Sequence, residues 1–305
     1  MTIAYAVKQL RFTFKLGKGK FGASGSFDTL TLPDGMRAVV HIENATVPSA
    51  GILSARIYGM TMSNMKELSQ CGLVWGERFN FVQVEAGDNI TGTATVFKGQ
   101  ILEAYPDFRQ PESSFVIQAT PTNAMQILPT KPVSFSGAVS GETALQQILQ
   151  GSGFTLENNG VNGVLSSPYF PGNVWTQALS CTRALNCFGH ADGVSQVLAI
   201  WPKNGARSGP ATVISPDTGL INYPSFQQLQ VMVRVGYDPR IRFEMGKTVE
   251  VKSGIAAADG KFVINAGTFD LSSQLPKGPW EVNLTLFPIS TSSSSTPAKA
   301  PATGQ

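Results

Sequence analysis

The sequence predicts a mainly β protein in which two antiparallel β-barrel domains flank a small α+β module. Only 14% of the residues are charged, against about 25% in an average globular protein. Glycine and proline are plentiful, at 31 and 19 residues, which favours strands and turns over long solvated helices. Most of the chain alternates apolar and polar residues with the period of a strand, and the main exception is the stretch 140–207.

Residues 1–132 are predicted to form the first β-barrel domain, with a proline-rich connection from about residue 106. Pro33-Asp34-Gly35 is a turn signal between two of its strands. A short helix is expected from about Asn64 to residue 70, because Asn64 and Glu67 match a capping box. Several strands and one helix indicate a closed or nearly closed barrel. The predicted strands are Leu10–Leu16, Ser26–Leu32, Met36–Ile42, Ile52–Tyr58, Phe79–Glu85, Asn89–Tyr105 and Phe115–Ala119.

Residues 133–205 are predicted to form the α+β module, in the order helix, strand, helix, hairpin. Ser140 is placed to cap the first helix, and Gly151 ends it. A short strand at 154–156 follows, and the second helix begins after Asn173. The hairpin is expected to pair residues 187–190 with residues 197–201.

Residues 206–289 are predicted to form the second β-barrel domain, and residues 290–305 a disordered tail rich in serine, threonine, proline and alanine. Val231, Val233 and Val235 alternate with other residues, so one face of that strand should be buried. The predicted strands are Thr212–Ser215, Gly219–Tyr223, Gln230–Tyr237, Ile241–Phe243, Thr248–Lys252, Lys261–Thr268 and Trp280–Phe287.

The chain is predicted to be a soluble protein made in the cytoplasm. It contains no run of about 18 apolar residues, and the alternation at residues 10–16 indicates a strand rather than a signal peptide. Cys71, Cys181 and Cys187 form no disulfide framework, which indicates a reducing compartment. A formal charge of +3 is too small to predict nucleic-acid or membrane binding by itself.

Two glycine motifs resemble nucleotide-binding loops without their context. Residues 17–22 match G-x-G-x-x-G, but a strand rather than a helix is predicted to follow. A flexible basic hairpin tip is the main interpretation, with a nucleotide site as the alternative, and Lys18 and Lys20 are candidate contacts for an acidic partner. Gly246-Lys247-Thr248 lacks the earlier glycine of a P-loop, because Ile241 stands there. The sequence therefore predicts no cofactor.

No catalytic or metal site is predicted. Cys181, Cys187 and His190 have no common zinc-site spacing and no obvious fourth ligand. His41 and His190 are the two histidines, and neither G-x-S-x-G nor H-E-x-x-H occurs. Paired carboxylates brought together by folding remain open as an alternative, but the expectation is that the protein is not an enzyme.

A stiff loop at residues 167–172 carries two aromatic rings between two prolines, and Trp175 follows. Tyr169, Phe170 and Trp175 either fill the core of the module or serve as contact anchors for a partner. Together with Lys18 and Lys20, they are the predicted partner-contact residues.

Several segments resemble the baseplate hub proteins of contractile-tailed bacteriophages. They are SGFTLENNGV, PYFPGNVWTQAL and ADGVSQVLAIWPKNGAR, followed by ISPDTGLINYPSF and LPKGPWEVNL. The resemblance covers residues from about 133 to 287, while the first hundred residues fit by architecture.

The resemblance implies two tail-tube-like barrel domains and a homotrimeric ring with pseudo-sixfold symmetry. Such a ring joins the hexameric tail tube to the trimeric central spike, and its lumen lets DNA pass. The implied partners are the tail tube protein, the central spike protein, other baseplate proteins and, transiently, phage DNA; the implied location is the virion tail baseplate. A tail-tube initiator or terminator, or a tail-associated cell-wall hydrolase, is the alternative.

Overall fold

The structure is a computed structural model that describes residues 6–21, 27–70, 79–109 and 111–289. The predicted tail at 290–305, Cys71, Gly22 and the first residue of the strand predicted at 26–32 lie outside the described residues. The expected class, mainly β with a small α+β module, is confirmed. The domain boundaries near residues 132, 205 and 289 stay predictions.

The first β region differs from its prediction mainly in its helices. The side chain of Thr61, not of Asn64, caps the first helix by accepting a hydrogen bond from the backbone N–H of Asn64. A short second helix occupies part of the proline-rich connection that was expected to be extended. The elements are β1 Lys8–Lys15, β2 Thr29–Thr31, β3 Ala38–Ala45, β4 Ile52–Tyr58, α1 Met62–Leu68, β5 Phe81–Asp88, β6 Gly92–Asp107, β7 Ser114–Thr120 and α2 Asn123–Ile127.

The module has the predicted helix–strand–helix–hairpin order. Ser140 Oγ accepts a hydrogen bond from the N–H of Thr143 at 3.1 Å, and Asn173 Oδ1 accepts one from the N–H of Thr176 at 2.8 Å. Two small strand pairs were not predicted. The elements are β8 Val133–Ser134, β9 Ala138–Ser140, α3 Gly141–Leu149, β10 Thr155–Asn158, β11 Val164–Ser166, β12 Tyr169–Phe170, α4 Val174–Ala184, β13 Cys187–Asp192 and β14 Val197–Pro202.

The second β region contains one predicted strand that does not form. Residues 241–243 lie in a loop, where the N–H of Ile241 donates to the carbonyl of Asp238, and Phe243 is buried in the core without strand pairing. The elements are β15 Thr212–Ile214, a 3₁₀ turn Pro216–Thr218, β16 Leu220–Gln227, β17 Gln230–Gly236, β18 Thr248–Val251, β19 Gly260–Ser273 and β20 Trp280–Pro288.

Strands from both β regions belong to one 13-stranded sheet. Its path runs β16-β17-β20-β19-β3-β4-β7-β6-β5-β1-β2, and β18 and β15 continue from β19. Antiparallel pairing of β19 with β3 over eight residue pairs joins the regions. The sequence predicts two separately closed barrels, whereas the two regions share one sheet. Because β3 and β19 satisfy each other's edges within the chain, neither region has to close on itself.

The sheet buries one face in a continuous core. One apolar row crosses seven strands in register, and each member is buried; burial of each large side chain in it contributes about 1.5–3 kcal/mol. The long strand β6 pairs with β5 through its first half and with β7 through its second half, so the sheet folds over this core. The row consists of Val235, Val282, Phe269, Ile42, Leu53, Ala119 and Ile101.

The helices are short. None of those in the described ranges is long and apolar enough to cross a membrane.

A polar sheet face as the candidate functional site

The opposite face of the same strands is polar and open to solvent. Because successive residues of a strand point to opposite faces, each residue of the apolar row has polar neighbours in its strand that point outward. One outward row crosses six strands in register. It contains Glu281 on β20, Asp270 on β19, His41 on β3, Ser54 on β4, Gln118 on β7 and Glu103 on β6. A second row beside it contains Arg234, Asn283, Thr268 and Glu43.

Side chains of these rows are linked across strands around His41. Its Nδ1 lies 2.7 Å from Asp270 Oδ1, and its Nε2 lies 3.0 Å from Glu43 Oε1. Asn283 Nδ2 donates to the second oxygen of Asp270 at 3.3 Å. Burial acts to lower the pKa of His41, but hydrogen bonds to the two carboxylates outweigh it, so the pKa lies above its ordinary value. His41 therefore keeps its proton to a higher pH than an isolated imidazole does.

The two rows carry more negative than positive charge. In the two rows, the carboxylates of Glu43, Glu103, Asp270 and Glu281 accompany a single arginine, Arg234, which pairs with Glu281 at 2.5 Å. Carboxylates spread over several strands suit repulsion of a polyanion better than the binding of one small ligand. No group of three or more metal-ligating side chains within the described ranges is placed to hold a metal ion.

Comparison with known proteins assigns the chain to a family. The family model described as baseplate hub gp41 matches residues 59–277. The chain belongs to this family. It is thus a structural component of a phage tail, in the baseplate. A search of curated proteins finds no significant sequence match.

Solved tail proteins share the fold of this hub chain. The tail protein from Neisseria meningitidis MC58 superposes with a TM-score of 0.60 and 10% identity, over 91% of this chain and 96% of that chain. The 43 kDa tail protein of prophage MuSo2 from Shewanella oneidensis gives a TM-score of 0.58 and 10% identity, over 90% and 96%. The E. coli c3393 protein gives 0.57 and 9%, over 85% and 75%.

The E. coli c3393 protein is a component of the type VI secretion system and exhibits structural similarity to T4 bacteriophage tail proteins gp27 and gp5. At such low identity, these likenesses establish a common fold.

The hub's predicted contact residues fall into two groups. Lys18 and Lys20 are exposed at the tip that follows β1, and Tyr169 exposes 63% of its surface. Phe170 and Trp175 are buried in the core of the module, so for these two rings the structure agrees with the core alternative. Contact of Lys18, Lys20 and Tyr169 with a partner stays a prediction.

The residues considered as metal ligands do not converge. Cys187 and His190 are three positions apart on β13, which places them on opposite faces of the strand. Burial raises the pKa of Cys181 to about 12 and that of Cys187 to about 11. His190 is buried with Nδ1 2.9 Å from the carbonyl oxygen of Ala45, and burial lowers its pKa.

The second glycine motif forms a turn. Gly246 has a φ of +83° and leads into β18 at Thr248. The ammonium of Lys247 donates to the carbonyl oxygen of Ser208, so it is held within the fold.

A buried ion pair that the sequence analysis missed attaches the module to the second β region. Arg207 is 5% exposed; its Nε lies 2.9 Å from Glu157 Oε1, and its Nη2 lies 2.7 Å from Oε2. Nη1 donates to the carbonyl of Met245 at 3.1 Å. The hydrogen bonds from Arg207 lower the pKa of Glu157 to about 2. Glu157 is separated from Arg207 by fifty positions, so local patterns carried no signal for this contact.

Proposed function

We propose that this hub forms a homotrimeric ring that joins the hexameric tail tube to the trimeric central spike of a contractile tail. The observation that carries the proposal is that both β regions supply a similar number of strands to the shared sheet. The first region supplies seven strands, β1–β7, and the second supplies six, β15–β20. One chain thus supplies two similar units, and three chains supply six, so a threefold ring imitates a sixfold layer of the tube.

In this ring, the polar sheet face lines the lumen through which DNA passes. The four carboxylates of its two rows are exposed or half-buried and face away from the core. DNA affinity depends on phosphate neutralisation by cations, so an acidic lining lets the duplex slide without being held. The contact with DNA is transient.

The ring's two ends bind different partners. The tail tube protein binds the end of the ring at which six similar units imitate a layer of the tube. The central spike protein binds the opposite end, through the threefold symmetry of the ring, and other baseplate proteins bind the periphery. The chain is made in the host cytoplasm and assembled there into the tail. Its role is structural, and we assign no catalytic step to it.

Quantitative mass spectrometry of purified intact tails tests the proposal. Three copies of this chain per tail are expected, against a much larger number of tube subunits. Six copies would favour a tube initiator or terminator, and a copy number like that of the tube would make it a tube protein. Clearing of bacterial cell walls by the purified chain on a zymogram would favour the hydrolase alternative.

A further inference from the structure

We propose that a basic groove on the module binds an extended acidic segment of a different tail protein. The basic groove lies between the last turn of α4, the start of β13 and the loop that follows β3. Arg183 and Lys203 supply its charge. This inference goes beyond the proposed ring, because it requires only that the chain is part of a tail.

The basic groove is a concavity with an apolar wall. Its volume is about 260 Å³. Leu179 of α4, Phe188 of β13 and Val47 after β3 line it, and all three are half-buried. The N–H of Val47 donates to the carbonyl oxygen of Gly189 at 2.7 Å, so the loop after β3 is fixed against β13. The groove is therefore already formed in the free chain.

A second depression extends the basic groove toward the end of β20. The two concavities share Phe188 and Lys203 in their walls, and the second has a volume of about 240 Å³. Val263, Phe287 and Pro288 contribute apolar surface to it. An occupant that contacts both depressions has to be elongated, so a polypeptide segment fits better than a single small ion.

Arg183 differs from every other arginine in the described ranges. Each of the others forms an ion pair with a carboxylate of the chain, whereas Arg183 forms none there. Its exposed side chain stands in the last turn of α4, where the helix dipole favours a cation. The dipole does not supply the two parallel acceptors that a guanidinium binds best. Arg183 is thus available to a carboxylate from another molecule.

No acid in the basic groove balances its two cations. Among the described residues, neither depression is lined by an aspartate or a glutamate, and Lys203 forms no ion pair. Between Glu157 and Asp217 the sequence contains a single acid, Asp192, and Arg242 binds that carboxylate at 2.9 Å. Because complementary charges set the choice of partner at an interface, the occupant carries carboxylates.

A second copy of this chain has few carboxylates to offer. Within the part of the chain that the structure describes, those of Glu103 and Asp217 alone have neither an ion pair nor a hydrogen bond. Glu103 belongs to the polar sheet face. Asp217 stands between Pro216 and Thr218, so no large apolar side chain beside it could fill the groove. A different protein, with carboxylates next to apolar side chains, fits better.

Acetylation of lysines with sulfosuccinimidyl acetate tests whether the basic groove is covered in the tail. The rate at Lys203 is measured by peptide mass spectrometry in purified intact tails and in the isolated chain. We expect the rate to be about tenfold lower in the tails, because the bound segment excludes water and reagent from the ammonium. An equal rate in the two samples would overturn the inference.

Cross-linking of intact tails with a zero-length carbodiimide identifies the occupant. This reagent joins the amine of Lys203 to a carboxylate only where the two groups are in contact. The expected product links Lys203 to an aspartate or glutamate of another tail protein, with apolar residues beside it. A link to Asp217 of a second copy would overturn the assignment, and so would protection of Lys203 without any acidic partner.

Charge reversal tests the role of Arg183. In tails that contain Arg183→Glu, Lys203 should be acetylated as fast as in the isolated chain, and Arg183→Gln should raise the rate in the same direction. The control Lys277→Glu reverses an exposed charge in the turn before β20 and should leave Lys203 protected. Circular dichroism of the isolated variants checks that each one folds.

Protection of Lys203 that persists in the Arg183→Glu tails would overturn the inference. The number of copies of the chain per tail tests the proposed ring separately, so failure of the ring and failure of the basic groove are distinguishable.

Discussion

The ion pair between Glu157 and Arg207 predicts that loss of the glutamate charge destabilises the fold more than loss of the arginine. Glu157→Gln removes the negative charge beside the buried guanidinium and keeps one side-chain oxygen that can accept a hydrogen bond. The guanidinium also retains the Met245 carbonyl and Glu244, whose nearest oxygen is 3.8 Å away. Removal of one partner of a buried pair costs about 3–5 kcal/mol. Because the Glu157 side chain is 36% exposed, water screens part of the interaction, and we expect about 2–3 kcal/mol.

Arg207→Met should cost less, about 1 kcal/mol, because it removes the buried charge and keeps an apolar stem. Both acids retain other partners: Asn159 Nδ2 lies 2.9 Å from Glu157 Oε1, and Arg242 Nε lies 2.9 Å from Glu244 Oε1. Glu157→Gln should therefore lower the free energy of unfolding more than Arg207→Met, because only Glu157→Gln leaves a buried charge without its charged partner.

Urea unfolding at pH 7, followed by tryptophan fluorescence and circular dichroism, measures both changes. Glu250→Gln serves as the control, since its pair with Lys252 lies at the surface and should change the free energy of unfolding by less than about 0.5 kcal/mol. A larger loss for Arg207→Met than for Glu157→Gln would refute the reasoning.

The same pair predicts a pH dependence. The pKa of Glu157 falls from 4.5 to about 2 in the folded chain, so its stabilisation is fully present above pH 4.5 and is lost as the pH falls toward 2. The stability difference between wild type and Glu157→Gln should shrink over that window. A difference that stays constant from pH 5 to pH 2.5 would contradict the assignment.

Three further predictions concern other parts of the fold. The raised pKa of His41 means that its charge stabilises the fold below pH 6.5 and ceases to do so as the pH rises through the folded-state pKa. Asp270→Asn should lower that pKa, and NMR titration of the imidazole measures it. An unchanged pKa would count against the pairing of His41 with Asp270. Gly246→Ala should lower the free energy of unfolding by more than about 1 kcal/mol, because φ is +83° and a Cβ would lie 2.8 Å from a tryptophan ring. The control is Gly254→Ala, where φ is similar but the space around the Cβ is open. Equal losses of stability in thermal melts of the two variants would contradict the packing argument. Burial raises the pKa of the Cys181 thiol to about 12. This thiol should therefore react with iodoacetamide at pH 8 at least a hundredfold more slowly in the native protein than in urea. Peptide mass spectrometry measures both rates, and a fast reaction in the native protein would contradict the prediction.

Local signals sufficed where one short segment determines its own conformation. The capping residues Ser140 and Asn173 mark helix starts because their side chains satisfy backbone N–H groups only three residues away. The strand Ile52–Tyr58 has the predicted bounds, since alternation is a property of a single strand. At residues 241–243 the same kind of apolar pattern gave a wrong strand prediction. Phe243 lies in a loop, and its side chain is buried in the core.

The sequence by itself determined the mainly β class, the module and most strand positions, because periodicity and capping depend on neighbours along the chain. Only the tertiary structure decided that β3 pairs with β19 and that the two regions share one sheet. It also decided that His41 stands between Glu43 and Asp270, and that β16 remains at an edge. Strand partners are chosen across hundreds of residues by burial and register, and a one-residue slip would exchange the polar face for the core face.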